Sequence, residues 1–374
     1  MNLIVKCVAS VAAIWGATSA SPAREAPLRI EQTSETKIAE FDSFLQAFRK
    51  KHAIPALSAV IVKDGAILWE KAYGFSDDEG DIPATVDTSF SIASVTKPIA
   101  AIAILKEAEA GRISLDVPMT ADAGWLETCQ WLAGSSIPFG GGGADAHGAT
   151  IPKINCDRKL TLGDILNMRI NGAAGAGFVY NPISFARIDR IIEGAGGRPL
   201  RQIVRENVAT PAGLEDVALG WRDPDGGAAL RLIAPPFSVK NGQRTKNSFS
   251  DDDFRAAAGI KASPHQLARF DIALDSGKLL APAWQKSVVG GPRPRRSGDY
   301  RWGWFVQEWK GHRLMWHSGW DEDRYSAIYL KAPEQRVSLI VLANTEALWW
   351  ENSLVRAEIE RSPVAAKFLG LFVG

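Results

Sequence analysis

Apolar positions recur at helical spacing near the start of the chain and at strand spacing directly after it. Between Glu35 and Lys51 they form a single stripe, which predicts a helix that packs on a core. Residues 57–62 and 67–73 are two apolar runs, and the Asp64-Gly65 pair between them is a strong signal for a tight hairpin. A helix followed by two antiparallel strands is therefore predicted for this part of the chain.

The middle of the chain, from about residue 91 to about residue 290, has mostly helical spacing. The helical segments predicted there are 161–168, 185–194, 200–208 and 264–274. The Gly-rich stretches 140–143 and 172–177 lack the framing of a phosphate-binding loop, so we interpret them as loops. Strand spacing returns in residues 300–309, 313–317, 325–330 and 337–343, and a closing helix kinked at Pro363 is predicted over about 352–369.

Strand patterns at both ends and helices between them predict an α/β fold of the α+β type. One antiparallel sheet is built from both chain ends and flanked by helices, and a mostly helical subdomain is inserted into it. The sheet subdomain is expected at about 35–90 and 295–374, the helical subdomain at about 91–294, and both form a single domain over 21–374. A ligand is expected in the cleft between the two parts.

The composition is that of an ordinary globular protein, and it disfavours two classes of partner. Apolar residues make up 46% of the 374 residues, enough for one large core or two modest ones. Lys and Arg number 43 and Asp and Glu number 42, so the net charge is close to zero. The chain therefore has no overall electrostatic attraction for nucleic acid or an anionic membrane. Neither kind of polyanion is expected as a partner.

The first 20 residues have the layout of a secretory signal peptide. A short n-region ends at the positively charged Lys6, the apolar stretch 7–15 follows, and small residues precede Ser21. This stretch is shorter than the roughly 20 residues that span a bilayer, so no membrane span is expected after signal removal. The mature protein is expected to be secreted or periplasmic, where its remaining cysteines, Cys129 and Cys156, would pair.

Candidate chemistry centres on the tetrapeptide Ser94-Val95-Thr96-Lys97. Residues three apart share one face of a helix, so the Lys97 amine can lie against the Ser94 hydroxyl as its base. Pro98 indicates that a helix begins here, and the apolar run 99–105 indicates that this helix is buried. The same pattern recurs at residues 34–37, but in a polar stretch where it is better interpreted as a helix cap.

Two further motifs follow in order, Tyr180-Asn181-Pro182 and His317-Ser318-Gly319. A tyrosine in a cleft can exchange a proton if nearby cations lower its pKa, and a strand edge with a glycine can align an acyl substrate. Together the three motifs resemble the Ser-x-x-Lys, Tyr-x-Asn and Lys-Thr-Gly boxes of the serine β-lactamase and penicillin-binding protein superfamily. The chain looks nearest to the class C β-lactamase-related branch, which includes D-alanyl-D-alanine carboxypeptidases, esterases and amide hydrolases.

This resemblance implies a role for each matching residue. Ser94 would be the acylated nucleophile, Lys97 its proton acceptor or activator, and Tyr180 the general base or acid. The backbone N–H groups of Ser94 and Trp320 would form the oxyanion hole, and no metal or cofactor is implied. The residues that would contact the substrate are His317, Ser318, Gly319 and Asn181.

Two departures from the family pattern bear on the substrate. Asn181 stands one place early, and Pro182 occupies the position where the family has asparagine. His317 replaces a lysine, and a histidine is mostly neutral at pH 7. Esters or amides without a carboxylate are therefore favoured over β-lactams.

Three other classes of function were weighed. The absence of a Gly-x-Ser-x-Gly elbow argues against an α/β-hydrolase, and the scattered histidines argue against a metalloenzyme. Pro182 and His317 leave open a catalytically weak penicillin-binding or sensor protein. The predicted function is an exported serine hydrolase that cleaves ester or amide bonds of small molecules or peptides, with esterase, D,D-peptidase-like or weak β-lactamase activity.

Overall fold

The structure is a computed structural model that describes residues 33–77, 79–250 and 253–374. The predicted signal peptide, residues 1–20, lies outside the described residues. The α-helices are, in chain order, α1 (Ser34–Lys51), α2 (Thr96–Glu109), α3 (Trp125–Gly134), α4 (Pro138–Gly141), α5 (Leu162–Leu166), α6 (Pro182–Phe185), α7 (Ile188–Gly194), α8 (Leu200–Val204), α9 (Thr210–Ala212), α10 (Gly227–Arg231), α11 (Pro264–Asp275), α12 (Pro282–Gln285) and α13 (Pro363–Phe372). None of the helices in this part of the chain is both long enough and apolar enough to cross a membrane.

The strands are, in chain order, β1 (Ala56–Lys63), β2 (Ala66–Gly74), β3 (Phe90–Ser91), β4 (Gly143–Ala144), β5 (Thr150–Ile151), β6 (Ala218–Leu219), β7 (Phe237–Lys240), β8 (Gln243–Lys246), β9 (Ile260–Ala262), β10 (Asp299–Arg301), β11 (Trp304–Trp309), β12 (His312–Asp321), β13 (Tyr325–Ala332) and β14 (Val337–Ala343). The large sheet has the order β10-β11-β12-β13-β14-β1-β2, and all its neighbouring strands are antiparallel. Leu57 of β1 lies opposite Ala343 of β14, so strands from both chain ends meet in one sheet. The predicted fold class is confirmed.

Helices cover both faces of this sheet. Phe41 of α1 packs edge-to-face on Trp69 of β2, whereas His265 of α11 contacts Glu70, the next residue along the same strand. Because successive strand residues point to opposite faces, α1 and α11 lie on opposite sides of the sheet. As a result, β1 is buried along almost its whole length.

The strands before and within the third motif differ from the prediction. Residues 300–309 form two strands instead of one, because Trp302 (φ 49°) and Gly303 (φ 84°) make a turn with left-handed backbone angles. β12 runs on to Asp321, so the motif His317-Ser318-Gly319 lies inside a strand and not at its end. The direction in which each motif residue faces is therefore determined by its place in the strand.

Capping residues determine where the two terminal helices begin. α1 begins at Ser34 because the side chain of Thr33 accepts a hydrogen bond from the backbone N–H of Thr36. α13 begins at Pro363, because Ser362 caps it in the same way and proline is favoured in a first turn. The predicted helix over 352–369 with a kink at Pro363 is therefore wrong.

The helical part of the chain brings α2 against the large sheet. α2 is buried along most of its length. A Cβ atom added at Gly303, in the turn between β10 and β11, would lie 2.7 Å from the backbone oxygen of Lys97. Glycine at this position thus permits the sheet to approach the start of α2 closely.

Candidate active site

Ser94 lies in a short 3₁₀ turn, Ala93–Val95, that connects β3 to α2. Ala93 has a φ of 46°, a left-handed value that costs a residue with a side chain about 1–3 kcal/mol. Pro98 lies in the first turn of α2, where the missing N–H would have had no helical partner. A strained backbone therefore holds Ser94 at the start of a buried helix.

The Lys97 amine is buried beside the Ser94 hydroxyl. Its Nζ lies 2.8 Å from Ser94 Oγ and donates to the carbonyl oxygen of Ala257 at 2.8 Å. The rings of Tyr180 and Phe185 flank it, and no carboxylate of the described residues lies within 4.0 Å. Burial lowers the pKa of Lys97 well below its usual value, because no counter-ion offsets the desolvation of the ammonium form. This favours a neutral amine that can accept a proton.

Tyr180 approaches Ser94 from the other side. Its hydroxyl donates to Ser94 Oγ at 2.9 Å, and its backbone N–H donates to the carbonyl oxygen of Leu354 at 2.7 Å. Burial raises the pKa of Tyr180, and the hydrogen bond to Ser94 opposes this only in part. The expectation that nearby cations lower the pKa of Tyr180 is therefore wrong. Tyr180 keeps its proton and is suited to donate it.

The three side chains form one hydrogen-bonded series. With Lys97 neutral, the Ser94 hydroxyl can donate to Nζ, while the Tyr180 hydroxyl donates to Ser94 Oγ and an N–H of Lys97 donates to Ala257. The hydroxyls of Ser94 and Tyr180 and one N–H of Lys97 then each have an acceptor. The arrangement can remove the proton of Ser94 on one side and supply a proton on the other.

The third motif passes directly over the turn that carries Ser94. The pairing of β11 with β12 ends at Phe305 and Trp316, so beyond this point β12 pairs with β13 alone and its other edge adjoins the turn. A Cβ atom added at Gly319 would lie only 2.3 Å from the carbonyl oxygen of Ile92. Glycine at this position allows the strand edge to lie across the nucleophile, as an oxyanion hole from the N–H groups of Ser94 and Trp320 requires.

His317 faces away from solvent, into a cluster of aromatic rings. It is 0% exposed; its Nδ1 lies 2.7 Å from the carbonyl oxygen of Ser318 and its Nε2 lies 3.1 Å from the hydroxyl of Tyr300. Burial lowers the pKa of His317 well below its usual value, and Lys97 adds to this effect when its amine is protonated. Both ring nitrogens are thus engaged within the protein, which argues against the expected direct contact with substrate. Ser318 is also buried, and its hydroxyl donates to Asn352 Oδ1 at 3.2 Å.

Asn181 does not occupy the position expected for a substrate contact. It is fully buried and caps α6, because its Oδ1 accepts from the N–H of Ser184 at 3.0 Å and Pro182 fills the first helical position. Its Nδ2 donates to the carbonyl oxygen of Phe139 at 3.0 Å. The side chain therefore holds the tyrosine loop in place, and the expectation of a substrate contact is corrected.

The predicted disulfide between Cys129 and Cys156 is present. It closes a segment that contains α4, β4 and β5, which is more structure than was expected for this Gly-rich stretch. Phe139, whose carbonyl receives hydrogen bonds from Asn171 and Asn181, lies inside the closed segment. The disulfide therefore supports the loop that carries Tyr180.

Sequence reasoning missed two parts of the site. Tyr300 contacts His317 only because β10 folds back on β11, and no local pattern indicated this. A recess of about 70 Å³ opens beside the turn that carries Ser94, and its walls include Ala93, Ala258, Lys261 and Trp320. Residues Ala258, Gly259 and Lys261 of this recess lie outside the three motifs, and no spacing pattern in the sequence located them.

Comparisons with known proteins identify the family and the fold of the chain. The family model described as "Beta-lactamase" matches residues 41–353. The chain is 28% identical to the esterase EstB of Burkholderia gladioli, over 73% of this chain and 87% of that one. It is 17% identical to a solved class C β-lactamase of Rhodobacter sphaeroides, with a TM-score of 0.64 over 91% of this chain and 100% of that one. It is 15% identical to EstCE1, a hydrolase with promiscuous acyltransferase activity, with a TM-score of 0.64 over 91% and 99% of the two chains. Since the family model spans most of the sequence, the protein belongs to the β-lactamase family.

Proposed function

We propose that this protein is an exported serine hydrolase that cleaves uncharged carboxylic esters through an acyl-enzyme on Ser94. The observation that carries the proposal is the position of Ser94 Oγ, 2.8 Å from Lys97 Nζ and 2.9 Å from the Tyr180 hydroxyl. A nucleophile between a neutral amine and a protonated phenol has a base and an acid at hand. A protein that only binds ligands has no need of this arrangement.

In the acylation step, Ser94 Oγ attacks the ester carbonyl while its proton passes to Lys97 Nζ. The N–H groups of Ser94 and Trp320 would stabilise the tetrahedral oxyanion, each by about 3–4 kcal/mol as in other serine hydrolases. When the carbon–oxygen bond to the leaving alcohol breaks, the alcohol takes the proton of Tyr180. The ammonium of Lys97 then returns a proton to Tyr180.

In the deacylation step, a water molecule attacks the acyl carbon and gives its proton to neutral Lys97. The bond from the acyl carbon to Ser94 Oγ breaks, and Ser94 takes the proton back from Lys97. The products are a carboxylic acid and the free enzyme, so one amine serves as base in both steps. Lys97 can do this because it is buried without a carboxylate partner among the described residues.

Two observations favour esters with a small, uncharged acyl group. The recess beside the Ser94 turn holds about 70 Å³, which limits the size of the group that it can take. The buried ring of His317 supplies no cation for a substrate carboxylate. The relative EstB is an esterase by name, which supports the same substrate class.

Export is proposed from two features together. Residues 1–20 have the layout of a signal peptide. The Cys129–Cys156 disulfide is typical of proteins that fold in an oxidising compartment. A secreted or periplasmic location follows from both.

The test compares Ser94→Ala with the matched control Ser34→Ala, which alters the second match to the Ser-x-x-Lys pattern. We expect Ser94→Ala to abolish turnover of p-nitrophenyl acetate and labelling by a fluorophosphonate, and Ser34→Ala to change neither. Normal turnover by Ser94→Ala would reject the mechanism. A chromogenic cephalosporin and a D-alanyl-D-alanine peptide in the same screen test other substrates. Labelling by a fluorescent penicillin without turnover of any substrate would favour the penicillin-binding or sensor alternative.

A further inference from the structure

Tyr300 and His317 form a buried pair behind Tyr180 that the proposed mechanism does not use. Tyr300 lies on β10, is 0% exposed, and places its hydroxyl 3.1 Å from Nε2 of His317. The two rings stand edge-to-face with their centres 5.9 Å apart. The ring of Tyr180 lies 6.0 Å from Tyr300 and 5.7 Å from His317. The pair therefore forms the wall on which the Tyr180 ring packs.

The hydrogen bonds of His317 determine where its protons are. Its Nδ1 lies 2.7 Å from the carbonyl oxygen of Ser318, and a carbonyl oxygen can only accept, so Nδ1 carries a proton. In the neutral ring Nε2 is then an acceptor, and the Tyr300 hydroxyl is the donor that reaches it. One tautomer satisfies both ring nitrogens without any charge.

The groups that face His317 give no support to a charged ring. Lys97 approaches from α2, Tyr180 from the loop before α6, Tyr300 from β10 and Phe305 from β11. No carboxylate of the described residues lies within 4.0 Å of the ring. A charged histidine ring there would be desolvated with no counter-ion, and a protonated Lys97 would repel it.

The carboxylate next to Tyr300 on β10 forms ion pairs with residues other than His317. Asp299, next to Tyr300 in the chain, forms ion pairs with Arg169 and Arg301. It therefore does not act as a counter-ion for His317. Among the described residues, Lys97 is the lysine that contacts Ser94, whereas Lys261 lines the recess beside the Ser94 turn.

We infer that Tyr300 is a positioning residue of the active site, which holds His317 as the neutral Nδ1–H tautomer and so makes the site selective for acyl groups without a carboxylate. The inference rests on the proposed esterase function for its substrate class. Its structural part, the tautomer of His317, does not depend on any activity. Tyr300 acts through His317 and Tyr180 and need not touch the substrate.

Removing the Tyr300 hydroxyl should therefore make protonation of His317 easier. A donor to Nε2 stabilises the neutral ring and opposes its protonation. In Tyr300→Phe the ring still packs on Phe305, 4.9 Å away, but Nε2 loses its donor, and the pKa of His317 should rise. The matched control is Tyr325→Phe, which removes a hydroxyl from another buried tyrosine, one bonded to the carbonyl oxygen of Ala234.

The first measurement is the ¹⁵N spectrum of the histidine rings in the unliganded protein, with His317→Gln used for assignment. In the wild type Nε2 of His317 should resonate as a bare nitrogen and Nδ1 as N–H throughout about pH 5.5–8, a range in which an ordinary histidine titrates. In Tyr300→Phe the Nε2 signal should begin to titrate. A protonated Nε2 in the wild type would overturn the inference, whether or not the enzyme hydrolyses esters.

The second measurement is the ratio of kcat/KM for the p-nitrophenyl half-ester of glutaric acid to that for p-nitrophenyl valerate. The free carboxylate of the half-ester stays ionised above about pH 5.5. The ratio should be low and flat in the wild type and in Tyr325→Phe, and should rise about tenfold from pH 8 to pH 5.5 in Tyr300→Phe. If Tyr300 had a purely structural role, Tyr300→Phe would lower kcat/KM for both substrates by the same factor. An unchanged ratio in Tyr300→Phe would therefore refute the role given to Tyr300. Absence of wild-type turnover would reject the esterase proposal but leave the ¹⁵N result decisive for the tautomer.

Discussion

The close approach of β12 to the nucleophile turn can be tested with one methyl group. In Gly319→Ala the added Cβ would lie 2.3 Å from the carbonyl oxygen of Ile92 and 3.0 Å from Cβ of Ala327, on the paired strand. Ordinary carbon–oxygen contacts begin near 3.3 Å, so the strand and the turn must separate by about 1 Å. Neither obstacle is the end of a flexible side chain, and the clash cannot be relieved by a rotamer change.

This displacement should reduce both catalysis and stability. A misplacement of about 1 Å costs roughly 10²-fold in rate, or about 2.7 kcal/mol, because the oxyanion donors act only when correctly spaced. We expect the loss in kcat with little change in KM, and a loss of about 1–3 kcal/mol in the free energy of unfolding.

The assay is steady-state hydrolysis of p-nitrophenyl acetate, combined with urea unfolding of the same samples. The control is Gly370→Ala on α13, an exposed position where an added Cβ meets nothing within 4 Å. That variant should keep wild-type kcat. If Gly319→Ala also keeps wild-type kcat, the strand edge does not align the reacting ester, and the placement of the oxyanion hole is wrong.

Two more predictions concern stability. Burial lowers the pKa of Lys97 in the folded state. Below about pH 10.4, Lys97 therefore binds a proton in the unfolded chain that it does not bind in the folded protein. As a result, the free energy of unfolding of the wild type falls as the pH falls. For each pH unit of decrease in this range, the stability of Lys97→Met relative to the wild type should rise by up to about 1.4 kcal/mol. The control Lys159→Met, at an exposed position, should show no such rise. Urea unfolding from pH 7 to 9.5 measures both variants, and a stability difference between Lys97→Met and the wild type that does not change with pH would contradict the prediction. Reduction of the Cys129–Cys156 disulfide, whose cysteines are 27 residues apart, should cost about 3–4 kcal/mol in the chain-entropy model. Urea unfolding with and without reductant measures the loss, an unchanged midpoint would refute it, and a double Cys→Ser variant should no longer respond to reductant.

Local spacing predicted those parts of the site that one helix turn determines. Ser94 and Lys97 are three residues apart, and Pro98 marks the start of their helix, so their contact follows from helix geometry. Tyr180 is distant in sequence, and its approach to Ser94 was suggested by the order of the motifs. Asn181 was misassigned because asparagine before proline has a competing local use as a helix cap, and that use prevailed.

The environment of His317 could not be predicted, because it depends on how distant strands pair. The sequence analysis treated residues 300–309 as one strand and ended the next strand near His317. In the structure the turn at Trp302 and Gly303 folds β10 onto β11 and brings Tyr300 beneath the histidine. Strand spacing alone indicates alternation but not which side chains fill the space on either face.

The pairing of β1 with β14 has a consequence for how the protein is made. The β1–β2 hairpin leaves the ribosome long before β14, so one edge of β1 stays unpaired until nearly the whole chain is available. Such long-range pairing folds slowly and exposes an aggregation-prone edge in the meantime. The strand that lies over the Ser94 turn is also among the last to be synthesised. We therefore expect newly made chains to have no hydrolase activity until their C-terminal strands dock.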